Sequence, residues 1–377
     1  MSASPLFTPF TLNRFTLPNR FVMPAMQRGM CKNGAPTGEL AAYYRRRAEG
    51  GVSLVIGESA AIDHPSSTVQ PTSAHINPRT RDAWAHCIDE VHEAGGRMLL
   101  QLWHEGALRT DGQALSPSGL ARPGKESGRA ATQDELAEIR DGFVRSALIA
   151  RDAGADGVEV HAAHGYFLDQ FLWHGTNIRD DGYGGDDIAH RARFPAEIVA
   201  AIRGACGPEF AITLRFSQWK EVDYAARVVR DRDELAVMAV MFRDAGLDAL
   251  HCSNRRFWEP EWDGDDRNLA GWTKALGGLP TITVGSVGLD LDVMTVFMEA
   301  RDPGPRVAEA VAELETRLAG GEFDLVAVGR AVIGDPDFVK KVEAGDYSAI
   351  RTFKRDDLGK LEWDLSIVEE AHGVQAA

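Results

Sequence analysis

Short apolar runs recur along the chain, each behind a glycine-bearing signal that ends a helix. They are Glu49-Gly-Gly-Val-Ser-Leu-Val-Ile56, Ala94-Gly-Gly-Arg-Met-Leu-Leu-Gln-Leu102, Ala153-Gly-Ala-Asp-Gly-Val-Glu-Val-His161, Ala245-Gly-Leu-Asp-Ala-Leu-His251 and Ala319-Gly-Gly-Glu-Phe-Asp-Leu-Val-Ala-Val328. Glycine adopts the left-handed conformation without a Cβ clash, so it stops a helix at little cost. The runs are too short for helices and read as strands buried on both faces. Phe21–Met26, Ala211–Phe216 and Thr281–Val284 bring the set to eight. Helical stretches lie between them, and one opens on a capping box, Thr132-Gln-Asp-Glu135, ahead of Leu136–Ala150. Alternating strands and helices predict an α/β fold with a parallel sheet, closed or open; eight units favour closure into a (β/α)8 TIM barrel.

The length beyond a minimal barrel falls in three places. Residues 5–19 are suited to a hairpin under the barrel floor. Residues 105–131, rich in Gly, Pro and Ser, predict a long loop after the third strand, and residues 254–272, with four Trp or Phe, another after the sixth. Loops at the C-terminal ends of barrel strands are where such folds keep their sites. No linker divides the chain, which predicts one domain over 1–377, with the barrel at about 20–345 and a C-terminal extension at 346–377.

Composition narrows the partners. With 41 basic and 56 acidic residues the net charge is −15, which disfavours nucleic acid and anionic membranes. No apolar run reaches the roughly 18 residues that span a bilayer. Met1 to Phe10 lacks a basic segment followed by an apolar one, so no signal peptide is expected. Cys31, Cys87, Cys206 and Cys252 form no C-x-x-C pair, which argues against a zinc ribbon or iron–sulfur cluster and suits the cytoplasm.

The strand ends supply the candidates for chemistry: Gln27, Glu58, Ser59, Gln101, Trp103, His104, His161, His164, Tyr166, Arg215, His251, Cys252, Ser253, Gly285, Ser286, Gly329 and Arg330. Val284-Gly-Ser-Val-Gly288 and Val328-Gly-Arg330 end strands seven and eight, where barrels often bind phosphate; glycine lets backbone N–H groups approach and Arg330 adds a bidentate cation. The bland alternative is a pair of turns with a surface arginine. His161-Ala-Ala-His164-Gly-Tyr166 places two imidazoles that can donate to one oxygen beside a phenol that can deliver a proton. Packing histidines, or a metal site of His161, His164 and Glu159, are the competing readings. Gln101 and Arg215 tip strands three and five, and Arg215 is either an anchor for something electron-rich or an ion-pair partner of Glu58 or Glu159.

These groups occur together with further motifs. Leu17-Pro-Asn-Arg-Phe-Val-Met-Pro-Ala-Met26 comes first, then Gly157-Val-Glu-Val-His-Ala-Ala-His-Gly-Tyr166 with Asp169-Gln-Phe-Leu172. Asn177, Arg179, Asp181, Tyr183-Gly-Gly185 and Arg191-Ala-Arg-Phe194 follow, and Val328-Gly-Arg330 leads to Asp335-Pro-Asp-Phe338. From about residue 5 to about 345 the chain resembles the Old Yellow Enzyme family of FMN-dependent ene-reductases. The resemblance implies a ping-pong reaction in which NAD(P)H reduces FMN and the flavin passes hydride to the β-carbon of an unsaturated carbonyl or nitro compound. It implies that Gln101 and Arg215 contact the flavin's pyrimidine part, and that Gly285, Ser286, Gly329 and Arg330 hold its phosphate. Ala25 and Ser59 would touch it through backbone. His161 and His164 would bind the substrate oxygen, Tyr166 would protonate the α-carbon, and Trp103 would line the pocket as in the pentaerythritol-nitrate-reductase-like subgroup. A monomer or homodimer is expected.

The chain departs from the pattern at Gln27, where the family usually has Thr or Cys beside the flavin C4 carbonyl. Cys31 lies four residues late for the family's redox cysteine, and Lys354–Leu361 lacks the Tyr that many relatives place in the pocket. No Cys follows Cys252, an expectation against the branch that adds an iron–sulfur cluster and a second flavin domain. Two rival functions stand beside the main one: a metal-dependent barrel hydrolase using His161 and His164, and a flavin-binding protein without catalysis.

Overall fold

Eight parallel strands close on themselves in the computed structural model, which describes residues 4–362. They are β1 (Phe21–Met23), β2 (Leu54–Ala61), β3 (Arg97–Trp103), β4 (Gly157–His164), β5 (Ala211–Lys220), β6 (Ala249–Ser253), β7 (Thr281–Val284) and β8 (Leu325–Ala327). Ring closure is made by Val326 opposite Phe21 and Ala327 opposite Val22, with Val22 in turn opposite Leu54. All eight expected strands are present, and the TIM barrel is the fold.

Seven principal helices alternate with the strands: α1 (Gly38–Glu49), α2 (Arg81–Glu93), α3 (Gln133–Asp152), α4 (Ile188–Cys206), α5 (Arg232–Asp244), α6 (Leu269–Gly277) and α7 (Val307–Ala319). Thr37, Thr132, Asp187, Asp231 and Asn268 start five of them by accepting from first-turn N–H groups. The capping box at α3 forms as its sequence predicts. The glycine signal also holds: Gly51, Gly95, Gly154, Gly246 and Gly321 have φ from +74° to +102°.

Two apolar layers explain why the strands read as continuous hydrophobic runs. Val55, Leu100, Val158, Leu214, Leu250 and Val326 belong to the cluster that includes helix residues Trp84, Ile88, Phe143, Ile198 and Leu314. Val22, Leu54, Ile56, Leu99, Ala211, Ala249, Ile282 and Leu325 form a second cluster with Leu12, Phe15 and Leu17. Those last three come from the hairpin of Phe10–Leu12 and Phe15–Leu17, which seals the barrel floor.

Two strands outrun their sequence reading. β4 continues to His164 and β5 to Lys220, with His161 opposite Arg215, a bulge after Ala162, and His164 opposite Lys220. The Lys220 ammonium holds this polar extension, donating to Asp169 at 2.7 Å and to the carbonyls of Ser217 and Gln218 at 3.1 and 3.0 Å. The predicted loop over 105–131 contains short pairings of Leu115–Ser116 with Arg129–Ala130 and of Leu120–Arg122 with Lys125–Glu126. Beyond the barrel, Arg28 donates to the carbonyls of Asp357 and Lys360, and buried Arg47 pairs with Glu362. These contacts seat the first part of the C-terminal extension; residues 363–377 lie outside the described residues. No helix among the described residues is long and apolar enough to cross a membrane.

Candidate active site

A cavity of about 300 Å³ opens at the C-terminal ends of the strands. It is lined by Ala25, Gln27, Ser59, His161, His164, Tyr166, Arg215, Gly285, Ser286, Gly329 and Arg330, all singled out from sequence. Gln101 and Trp103 lie behind that wall. The Gln101 amide accepts from the Ser59 hydroxyl and donates to Glu159 at 2.7 Å. Trp103 packs edge-on against Tyr166, ring centres 5.3 Å apart.

The bulge that extends β4 aims its histidines. His164 sits in the left-handed region at φ +65°, its N–H donating to the Ser217 hydroxyl at 2.9 Å. A non-glycine residue held there stores of order 1–3 kcal/mol, and such positions concentrate at functional sites. The two imidazoles differ in their bonding. His161 Nδ1 accepts from the Ala163 N–H at 3.3 Å, so in the neutral ring the proton sits on Nε2 and is free to donate. His164 Nε2 lies 2.9 Å from the Ser253 hydroxyl, and its ring stacks on Trp219 at 4.6 Å. The sequence offers them as equivalent donors; the structure gives one free donor and one bound to serine.

Burial sets the charge states. Desolvation, then the Arg215 guanidinium, pulls His161 down to about 3 and His164 well below its ordinary value. His104, which faces Ser66 rather than the cavity, is also drawn to about 3, chiefly by burial. Tyr166 is pushed upward by burial and by Glu221, which accepts from its hydroxyl at 3.5 Å. At neutral pH the site therefore holds neutral imidazoles and an intact phenol.

The histidines give stability a pH sign. The unfolded chain protonates an imidazole near 6.5, whereas folded His161 and His104 do so near 3. Between those values the unfolded state binds more protons. Their stabilisation is thus complete above about pH 6.5 and drains as pH falls toward 3. Urea midpoints are expected to drop steadily from pH 7 to pH 4, with a shallower drop in His161→Gln; identical slopes would refute this origin.

Below the histidines the barrel interior is wired to Glu159. It accepts from Gln101 and His251 at 2.7 Å each and from Thr213 at 3.3 Å. Burial raises its pKa, but His251, Arg215 and Gln101 outweigh that and leave it lowered. Its oxygens are thus committed away from His161 and His164, and the described residues contain no group of three or more His, Cys, Asp or Glu able to hold a metal. Of the two alternatives for Arg215, the ion pair with Glu58 or Glu159 does not form. Arg215 donates instead to the Ala25 carbonyl at 3.1 Å and the Ser253 hydroxyl at 3.3 Å. Glu58 points the other way, accepting from the Arg28 N–H and the Cys31 thiol, and Cys252 is buried with its thiol directed to the Leu250 carbonyl.

The opposite end of the cavity is built for an anion. Ser286 takes φ +53°, and a Cβ on Gly285 would come within 2.8 Å of the Asn254 carbonyl oxygen, so glycine is required where these loops meet. Arg330 donates to the Ser286 hydroxyl at 3.2 Å and the Leu291 carbonyl at 2.6 Å. Sequence reasoning missed Tyr224, Asn254, Arg255 and Asp292 on this wall; the one signal was the Arg255-Arg256 pair at the start of the loop after β6. Arg215 Nε, Arg330 Nη1, Arg255 Nε and the Tyr224 hydroxyl are buried without partners. Orphaned donors at both ends of one cavity fit an elongated ligand with acceptor oxygens and a phosphate, which is the donor demand of FMN.

Comparison with known proteins agrees. Residues 5–348 match the model of the NADH:flavin oxidoreductase / NADH oxidase family. This chain belongs to that family. The flavin oxidoreductase is 34% identical to 12-oxophytodienoate reductase 7 of Oryza sativa subsp. japonica, over 90% of this chain and 87% of that protein. It is 32% identical to an NADH oxidase of Thermoanaerobacter brockii over 92% of its length, but spans only 52% of that relative. Its structure superposes on morphinone reductase with a TM-score of 0.77 at 27% identity, covering 95% and 93% of the two chains. The Old Yellow Enzyme resemblance is thereby borne out, and with it FMN as the cofactor and NAD(P)H as reductant.

The family motif after β4 proves to be scaffolding for the segments that follow β3 and β4. Asn177 donates to the carbonyls of Phe171 and Tyr183, Arg179 to those of Pro117 and Ala131, and Arg191 to those of Leu172, Gly185 and Asp186. Each satisfies loop carbonyls that have no strand to pair with.

Proposed function

We propose that this flavin oxidoreductase reduces the activated double bond of α,β-unsaturated carbonyl or nitro compounds in the cytoplasm, as a single FMN-binding barrel domain acting as a monomer or homodimer. The observation that carries the reading is the wall shared by His161, His164 and Tyr166, whose ring centres lie 5.2 Å apart from His161 to each of the other two. When bound, FMN supplies hydride storage between NAD(P)H and the alkene.

The chain's own residues do the rest. His161 Nε2–H donates to the carbonyl or nitro oxygen and stabilises the negative charge that develops there. His164 supports the same oxygen once its bond to Ser253 is exchanged for the substrate. Tyr166 holds a proton at its hydroxyl and releases it to the α-carbon, and Trp103 fixes the tyrosine ring from behind. Arg215 would face the flavin's pyrimidine edge and favour negative charge there, with Ser59 beside it and Gln101 holding the Ser59 hydroxyl from behind the wall. Gly285, Ser286, Gly329 and Arg330 take the phosphate, while Ala25 offers backbone.

Anaerobic stopped-flow tests both half-reactions. NADPH or NADH should bleach the flavin band and cyclohexenone should restore it. A yellow protein that bleaches but is not restored by enones or nitroalkenes would be a flavin carrier or sensor instead.

Gln27 lines the cavity with its amide donating to the Ser73 hydroxyl at 2.7 Å. Gln27→Thr is expected to keep FMN and shift its midpoint potential by about 10–30 mV, the two-electron equivalent of one hydrogen bond of ~0.5–1.5 kcal/mol. Spectroelectrochemical titration reads the shift, and an unchanged potential with unchanged half-reactions would remove Gln27 from the flavin's surroundings.

A further inference from the structure

We propose that Arg255 is a second phosphate-binding guanidinium of the FMN site, shared between Asp292 and the phosphate; this rests on the flavin reading above. Arg330 and Arg255 flank the same short segment. Arg330 Nη2 donates to the Leu291 carbonyl at 2.6 Å, and Arg255 Nη2 reaches the next residue, Asp292, at 3.1 Å. Backbone contacts bring Arg255 to the phosphate-binding turn itself, since its carbonyl accepts from the Ser286 hydroxyl at 3.0 Å. Its guanidinium lies 4.4 Å over the Tyr224 ring.

Three unsatisfied donors converge on the same place. Arg255 Nε, Arg330 Nη1 and the Tyr224 hydroxyl are all buried without a partner, and all three residues line the cavity at this end. Buried guanidinium N–H groups left unpaired are costly. One phosphate dianion presents enough acceptors to satisfy all three. It also balances the charge better than Asp292 can alone, because that carboxylate is shared with Arg256 at 2.8 Å and also accepts from the Thr295 N–H at 3.0 Å. With Arg256 also on Asp292, Arg255 can be shared with the phosphate without stranding the carboxylate.

Riboflavin, which lacks the phosphate, isolates this contribution. Holoenzyme would be stripped of flavin and the apoprotein titrated with FMN and with riboflavin, following quenching of flavin fluorescence. Arg255→Ala is expected to weaken FMN about ten- to a hundred-fold and to leave riboflavin within about twofold. Arg255→Lys, which keeps the charge but not the fork, should fall between. Asp292→Asn keeps an acceptor for the Thr295 N–H but removes the competing charge, and should tighten FMN alone. Equal weakening of both flavins would mean that Arg255 supports the fold rather than the phosphate, and overturns the proposal. So would unchanged FMN affinity accompanied by a KM increase for NADPH but not NADH, which would assign the guanidinium to the nicotinamide donor. If the unmodified apoprotein binds neither flavin, the flavin reading fails together with this one.

Discussion

Tyr166→Phe is expected to leave flavin bleaching by NADPH within a few-fold of normal and to slow reoxidation by cyclohexenone about 10²–10⁴-fold, the range for loss of one positioned proton donor. The selectivity follows from where the hydroxyl stands. It contacts Glu221 at 3.5 Å, and its ring is held between His161 and Trp103 at 5.2 and 5.3 Å. Phenylalanine keeps both ring contacts, so the pocket's shape survives and only the transferable proton is lost. Burial already keeps the phenol protonated through the neutral range, so raising the pH from 6 to 9 should change the normal enzyme's reoxidation rate little through this group. Stopped-flow at the flavin band separates the two half-reactions. Equal reoxidation rates in the two proteins would move the proton source elsewhere.

Lys220→Met carries the largest expected loss of stability, about 3–5 kcal/mol, as for a buried ion pair broken on one side. Lys220 and Asp169 are both fully buried and 2.7 Å apart. Burial raises Asp169 to about 6 even with Lys220 beside it, so without the ammonium the carboxyl should take up a proton at neutral pH. Damage would reach the site, because Asp169 Oδ2 accepts from the Gly165 N–H at 2.6 Å, between His164 and Tyr166. The lower urea midpoint should be partly recovered in Lys220→Met with Asp169→Asn, which replaces the stranded carboxyl with a neutral amide and spares the proton uptake. An unfolding free energy within about 0.5 kcal/mol of normal, the usual range for a neutral surface change, would show that the pair does not brace the turn.

Much of this architecture was legible in the chain because the two signals that specify it are local. A buried strand in a parallel barrel must be apolar on both faces, and the helix before it must stop, so each unit carries its own punctuation. The extensions of β4 and β5 were not legible, because Ser217–Lys220 is polar and Lys220 reads as a surface residue until Asp169 meets it from another loop. Glu159 misled in the opposite sense: it shares the inward face of β4 with His161, and only the neighbouring strands reveal that Gln101, Thr213 and His251 consume it. Arg255 sits beside Arg256 in a polar loop, with nothing local beyond that pair to mark it. Its function depends on Asp292 and Ser286, thirty or more residues later, and no local pattern joins them.

The sealed floor has a kinetic consequence. Leu12, Phe15 and Leu17 fill the bottom of the barrel, so reductant and oxidant share one doorway at the loop end. Nicotinamide must vacate before an enone can take its place. Traffic through the enzyme is therefore a queue, and crowding by either visitor delays the other: excess enone should inhibit competitively against NAD(P)H.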